Sequence, residues 1–234
     1  MVDRVNLSQY SRVSLTLWLL LSFQAGFVNV GGLMACHRFV THVTGFATQF
    51  GAEFAQNNWL HAASMLSVPL FFLAGAIFSA FLVDHQIQRG KRPLYFVLAG
   101  LICLLMLFIS GAGQNDFFGP FGTPYDVRRD YLLVALLCLS SGIQNAAVTS
   151  ASGAVLRTTH LTGITTDLGI GLVRLMSGAR GEREIQGLRI RLSLIAGFIS
   201  GSMVGAFAFL HYAYSGFLIP ALLSGALFLM GFRR

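Results

Sequence analysis

Charged residues are scarce in this chain. Asp, Glu, Lys and Arg make up 11% of 234 residues, against about 25% in an ordinary soluble domain. That shortage excludes a soluble globular protein. A chain this short with 55% hydrophobic residues has too little polar surface to cover its apolar side chains. Cysteine is limited to Cys36, Cys103 and Cys138, each within or beside an apolar stretch. Their spacing matches no zinc pattern, and they read as small hydrophobes. Leu33-Met34-Ala35-Cys36 approximates a lipoprotein cleavage site, but Gln24 and Asn29 interrupt the apolar run before it. The N-terminal segment is therefore expected to be an uncleaved first span. HExxH, paired-Cys, G-x-S-G and G-x-G-D patterns are all missing. The cluster of Cys36, His37 and His42 has none of the usual companions of a metal site. No enzyme chemistry, metal or cofactor is expected. The net charge of +7 comes without a basic-aromatic stripe, so nucleic acid is not an expected partner.

What is present suits a bilayer. A spanning helix needs about 20 mostly apolar residues. Six stretches qualify: Leu15–Met34, Ala62–Val83, Leu94–Ala112, Tyr131–Gly153, Leu192–Tyr212 and Gly216–Phe232. None contains Lys, Arg, Asp or Glu. The predicted fold class is an all-α membrane protein with six transmembrane helices plus two short re-entrant or broken segments. The whole chain, 1–234, forms one transmembrane domain.

Those two segments spell nearly the same ten residues. HVTGFATQFG runs from His42 to Gly51 and HLTGITTDLG from His160 to Gly169, with five positions identical. Gly26 and Asn29 upstream of the first copy match Gly142 and Asn145 upstream of the second. Phe72 and Gly75 downstream match Phe198 and Gly201. The basic residues lie almost wholly between apolar stretches. Connection 84–93 has a net charge of +2, 174–191 has +3, and 113–130 has −1. Positive-inside counting places 84–93, 174–191 and both termini in the cytoplasm, provided neither HxTG segment crosses. The first half, about 13–112, then begins inside. The second, about 131–232, begins outside, and loop 113–130 joins them. This is an inverted-topology repeat, a common transporter architecture.

Val40, Thr41, Val43, Thr158 and Thr159 favour extended backbone, and Gly45 and Gly163 permit a sharp turn. Thr44 and Thr162 are predicted N-caps of short helices leading out. Two half-helix N-termini aimed at the midplane suit a polar or anionic group. Candidate solute-binding residues are Asn29, Thr44, Gly45, Thr48, Gln49, Gln144, Asn145, Thr162, Gly163 and Thr166. Candidate proton-coupling residues are Asp167, His42 and His160. For each a plainer role stays open. Thr and Gly can serve helix packing, and Asn29, Gln144 and Asn145 can bond between helices. The histidines can bond backbone carbonyls, and Asp167 can pair with Arg157 or Arg174.

Ala25-Gly26-Phe27 with Asn29, Thr44-Gly45, Gln144-Asn145-Ala146, and Thr158 to Gly163 through Asp167-Leu168 together resemble the YoaK-type family of bacterial integral membrane proteins, a domain of unknown function. The resemblance covers nearly the whole chain and implies a multi-pass protein of the bacterial inner membrane. The family's pattern favours Asp where Asn29 stands and Asn where Phe46 stands. The expected function is a secondary transporter or facilitator of a small polar or anionic solute, with a midplane site formed by the HxTG segments. The alternative is a non-transporting membrane sensor or assembly partner. Expected partners are the lipid bilayer and the solute, with homo-oligomerisation left open.

The charge pattern fixes a first test. Cysteines introduced at Gln88 and Gly181 are expected to react only with reagent on the cytoplasmic side, and one at Thr123 only from outside. Labelling of Gln88 and Gly181 from opposite faces would end the six-span arrangement.

Overall fold

The computed structural model describes residues 11–153, 158–178 and 181–232. Of the described residues 83% are helical, and no strand occurs among them. The helices are α1 (Arg12–Cys36), α2 (Val43–Ala55), α3 (Trp59–Leu82), α4 (Asp84–Gln88), α5 (Tyr95–Gln114), α6 (Val127–Ala151), α7 (Leu161–Met176), α8 (Glu182–Tyr212) and α9 (Leu218–Phe232). A 3₁₀ turn, Ala213–Phe217, joins the last two. Each apolar stretch of the sequence lies within or largely overlaps one of these helices. Helix α8 begins ten residues before Leu192, because the charged turn-rich segment upstream also coils.

Ser11 starts α1 by accepting a hydrogen bond from the Ser14 amide at 3.0 Å. Asp126 starts α6 by accepting from the Arg128 and Arg129 amides at 3.0 and 3.1 Å. Helix α1 stops at His37, whose left-handed φ of 57° turns the chain back. Among the described residues five stretches are long and apolar enough to cross a membrane: Val13–Cys36, Trp59–Gln88, Tyr95–Gln114, Val127–Ala151 and Glu184–Phe232. The last includes the break at Ala213, where φ is 45°. Large apolar side chains face outward along α3, α5, α8 and α9, among them Leu66, Leu70, Ile77, Leu104, Phe207 and Leu222. The chain is thus compatible with a multi-pass membrane protein, with lipid as the solvent of its outer surface.

Helix α1 packs along α8, α3 along α6, and α5 along α9; α2 leans on α3, and α7 on α8. Four glycines set the two longest crossings. A Cβ on Gly26 would strike the Phe198 carbonyl oxygen, and one on Gly201 would strike that of Phe23. In the other pair, Gly142 meets the Phe72 carbonyl and Gly75 that of Leu139. Only hydrogen at these positions lets the backbones touch, and contact of this closeness is the main cohesive force between helices in lipid.

The bundle has two unlike ends. At one, Ser150 Oγ donates to Asp84 Oδ2 at 2.7 Å, and exposed Arg89, Lys91 and Arg92 follow α4; this is the basic end. At the other, Phe27, Phe121, Phe209, Tyr214 and Phe217 interlock, with ring centroids as close as 4.7 Å for Phe209 and Phe217. The Gly122 amide bonds the Ala35 carbonyl at 2.9 Å, clamping the loop between the halves over this aromatic end.

The glycine crossings generate a test. Gly75→Ala and Gly201→Ala are each expected to lower folded yield and melting temperature, since overpacking costs about 1–3 kcal/mol. Gly51→Ala and Gly169→Ala, where a Cβ meets nothing within 4 Å, are expected to leave both unchanged. Thermal melts of the four variants in detergent decide it.

Candidate functional site

Each HxTG segment is held by an asparagine on the preceding long helix. Asn29 Oδ1 accepts three hydrogen bonds: from the Val40 amide at 3.1 Å, the Thr41 amide at 3.2 Å and Thr41 Oγ1 at 2.9 Å. Asn145 Oδ1 accepts one from Thr159 Oγ1 at 3.0 Å. The short stretch before each half-length helix is thereby pinned to α1 or α6, well inside the bundle. Val40, Thr41, Thr158 and Thr159 are buried there, in bends and turns rather than the extended backbone that their β-branched side chains suggested.

The helices start earlier than expected. His42 and His160 occupy the N-cap positions of α2 and α7, with no side-chain cap bond. Thr44 and Thr162 are therefore not N-caps; both sit within the first turn and lend their carbonyls to Thr48 and Thr166. Thr48 Oγ1 donates to the Thr44 carbonyl at 3.2 Å and Thr166 Oγ1 to that of Thr162 at 3.0 Å. These hydroxyls are spent on their own helix.

The side chains of Thr44, Thr48, Thr162, Thr166 and Asp167 are exposed, while Gly45, Gln49 and Gly163 are half-buried. Helices α2 and α7 lie on different partners, α3 and α8, so the two threonine faces do not close on each other. His160 is exposed. The half-buried His42 ring stacks near Phe198 of α8, with centroids 6.4 Å apart, so the first HxTG segment reaches the second half of the chain. Arg174 lies 3.9 Å from Glu184, and no ion pair forms on Asp167 among the described residues. Arg157, the other partner considered for Asp167, lies outside the described residues. Among the described residues no three of His, Cys, Asp and Glu gather in a metal-binding group. Cys138 Sγ donates to the Val40 carbonyl at 3.3 Å and Cys36 Sγ to that of Gly32 at 3.5 Å.

A cavity of about 110 Å³ opens elsewhere, at the basic end between α1, α5, α6 and α9. Its walls include Leu21, Phe96, Leu98, Ile102 and Val148, and its polar groups include Gln24, Gln144 and Ser224 besides the Trp18 indole and the Tyr95 hydroxyl. Gln24 Nε2 donates to Ser224 Oγ at 2.7 Å, tying α1 to α9. Gln144 Nε2 donates to the Leu21 carbonyl at 2.6 Å, tying α6 to α1. Among the described residues no Asp, Glu, Lys, Arg or His lines the cavity. Of the residues singled out in the sequence, Gln144 alone belongs to it. Gln24 was visible as a polar interruption of the first apolar stretch. Ser224 carries no such signal, because serine is common in membrane helices.

A family model described as "Protein of unknown function (DUF1275)" matches residues 17–230. No curated protein and no solved structure matches the chain.

Since all three bonds to Asn29 end on one acceptor oxygen, its amide nitrogen is dispensable. Asn29→Asp, which keeps that oxygen and whose charge three donors would stabilise, is expected to retain the parent melting temperature. Asn29→Leu strands buried backbone amides and is expected to destabilise by about 1–3 kcal/mol. Denaturation of the two variants side by side checks this.

Proposed function

Because the chain belongs to the DUF1275 family, the one its motifs resemble, and carries no activity with that membership, we propose a function from the geometry. It is a non-enzymatic secondary transporter or facilitator of a small solute in a plasma membrane of bacterial type. It has six spans: the break at Ala213 divides the last apolar stretch into α8 and α9. The basic connections 84–93 and 174–191 and both termini face the cytoplasm. Helices α1, α2, α3 and α5 form one repeat and α6, α7, α8 and α9 the other, inverted.

The observation that carries this reading is the reciprocity of the glycine crossings. Gly26 against Phe198 has its counterpart in Gly142 against Phe72, and Gly201 against Phe23 in Gly75 against Leu139. Exchanging the halves exchanges the contacts, as a pseudo-twofold axis in the membrane plane requires. The unlike ends support an inward-facing state. The cavity opens at the basic, cytoplasmic end, while the aromatic cluster closes the outer end. In this reading the solute is held at Gln24, Gln144 and Ser224. The HxTG half-helices, anchored by Asn29 and Asn145, lie outside this cavity and carry the coupling carboxyl, Asp167. A second reading, a membrane assembly partner, is favoured by one observation: the small and hydroxylated faces of α2 and α7 are exposed, and such faces in lipid suit helix association.

Flux of a labelled-solute panel into proteoliposomes separates the two readings. Asp167→Asn is expected to leave folded yield unchanged, since no described partner is stranded by it, and to abolish proton-driven accumulation. Normal yield with unchanged proton-sensitive flux would remove Asp167 from coupling. No flux of any solute would favour the assembly partner.

A further inference from the structure

We infer that the cavity between α1, α5, α6 and α9 binds a small uncharged molecule that donates hydrogen bonds, a primary amide being the simplest case. The inference deepens the transport reading and rests on it for the claim that the bound molecule is the solute. Three features of the cavity select this class.

The first is size. A cavity of about 150 Å³ takes benzene, so the volume here, about 110 Å³, admits a ligand of about six non-hydrogen atoms or fewer. The second is charge. Among the described residues no ionic side chain lines the space. An anion or cation entering it would lose hydration without gaining a counter-charge, at a cost of several kcal/mol. This narrows the solute from "polar or anionic" to uncharged.

The third is the direction of the polar groups. Gln24, Gln144 and Ser224 are 2%, 5% and 1% exposed, so they are placed inside the protein. The Gln144 amide is oriented by its bond to the Leu21 carbonyl, an acceptor only. Gln24 likewise turns its nitrogen to Ser224. Neither Oε1 accepts a hydrogen bond from the described chain. Neither is among the sealed side-chain atoms of the described residues that lack a hydrogen-bond partner. Both carbonyl oxygens are therefore open to the cavity. Two acceptors at the floor of an apolar space call for a ligand with N–H or O–H groups at one end and hydrocarbon at the other.

The cavity carries its own reporter. Trp18 is in its wall, and the other tryptophan, Trp59, is exposed at the start of α3. In a Trp59→Phe background, in lipid nanodiscs, Trp18 emission is titrated with butanamide, butanoate and 2-pentanone. The three match in size; only the first is both neutral and a donor. The expected result is a saturable response to butanamide at a concentration at least about tenfold lower than for either of the others, one buried hydrogen-bonding group being worth that much. Gln24→Met is expected to abolish the preference and Ser224→Ala to reduce it. If Gln24→Met does not fold, Ser224→Ala and the ligand series on the parent still decide. An equal response to all three, a preference for butanoate, or no saturable response would overturn the inference. Its failure is distinguishable from failure of the transport reading. Selective butanamide binding without flux of any solute keeps the site and removes the carrier. Flux of other solutes without selective binding keeps the carrier and removes this site.

Discussion

The fold depends on backbone touching backbone. In lipid the apolar side chains of α1, α3, α6 and α8 gain little by leaving one apolar medium for another, so helix association must come from close contact. Gly26, Gly75, Gly142 and Gly201 provide it by bringing each helix onto a carbonyl oxygen of its neighbour. Once α1 is locked to α8 and α3 to α6, the remaining elements have fixed places. Helices α5 and α9 cover one side as a pair, and α2 and α7 lie along α3 and α8. The outer surface is left to leucine, isoleucine and phenylalanine.

The polar groups inside this frame divide into two kinds. Asn29 and Asn145 satisfy the chain itself, holding the segments that lead into α2 and α7 at a depth where loose backbone would be costly. Gln24 and Gln144 satisfy the chain with their nitrogens only and keep an oxygen free. The first kind supports architecture and the second is the kind on which the proposed recognition rests, although all four are carboxamides in apolar helices.

Much of this was legible in the sequence. The apolar stretches mark the long helices because hydrocarbon thickness sets their length, and the paired G-x-x-N and F-x-x-G patterns mark the crossings because only glycine tolerates them. The starts of α2 and α7 were misjudged by two residues. Threonine beside glycine suggests a cap, yet His42 and His160 take that position without using their side chains. The cavity was not legible beyond Gln144 and the polar interruption at Gln24. It exists because α5 and α9 pack beside α1 and α6 without filling the space between them. That lateral fit leaves no periodicity in any one helix. The beginning of α8 was hidden for a different reason: charged residues from Glu182 onward extend the helix past its apolar part, and hydropathy does not register them.

The 3₁₀ turn between α8 and α9 has a mechanical consequence. It is only Ala213–Phe217, and Tyr214, Gly216 and Phe217 within it are buried in the aromatic end. A connection this short and this well packed holds the end of α8 and the start of α9 at one corner of the aromatic cluster. Because α7 packs on α8 and α9 lines the cavity, that one corner sets the placement of both.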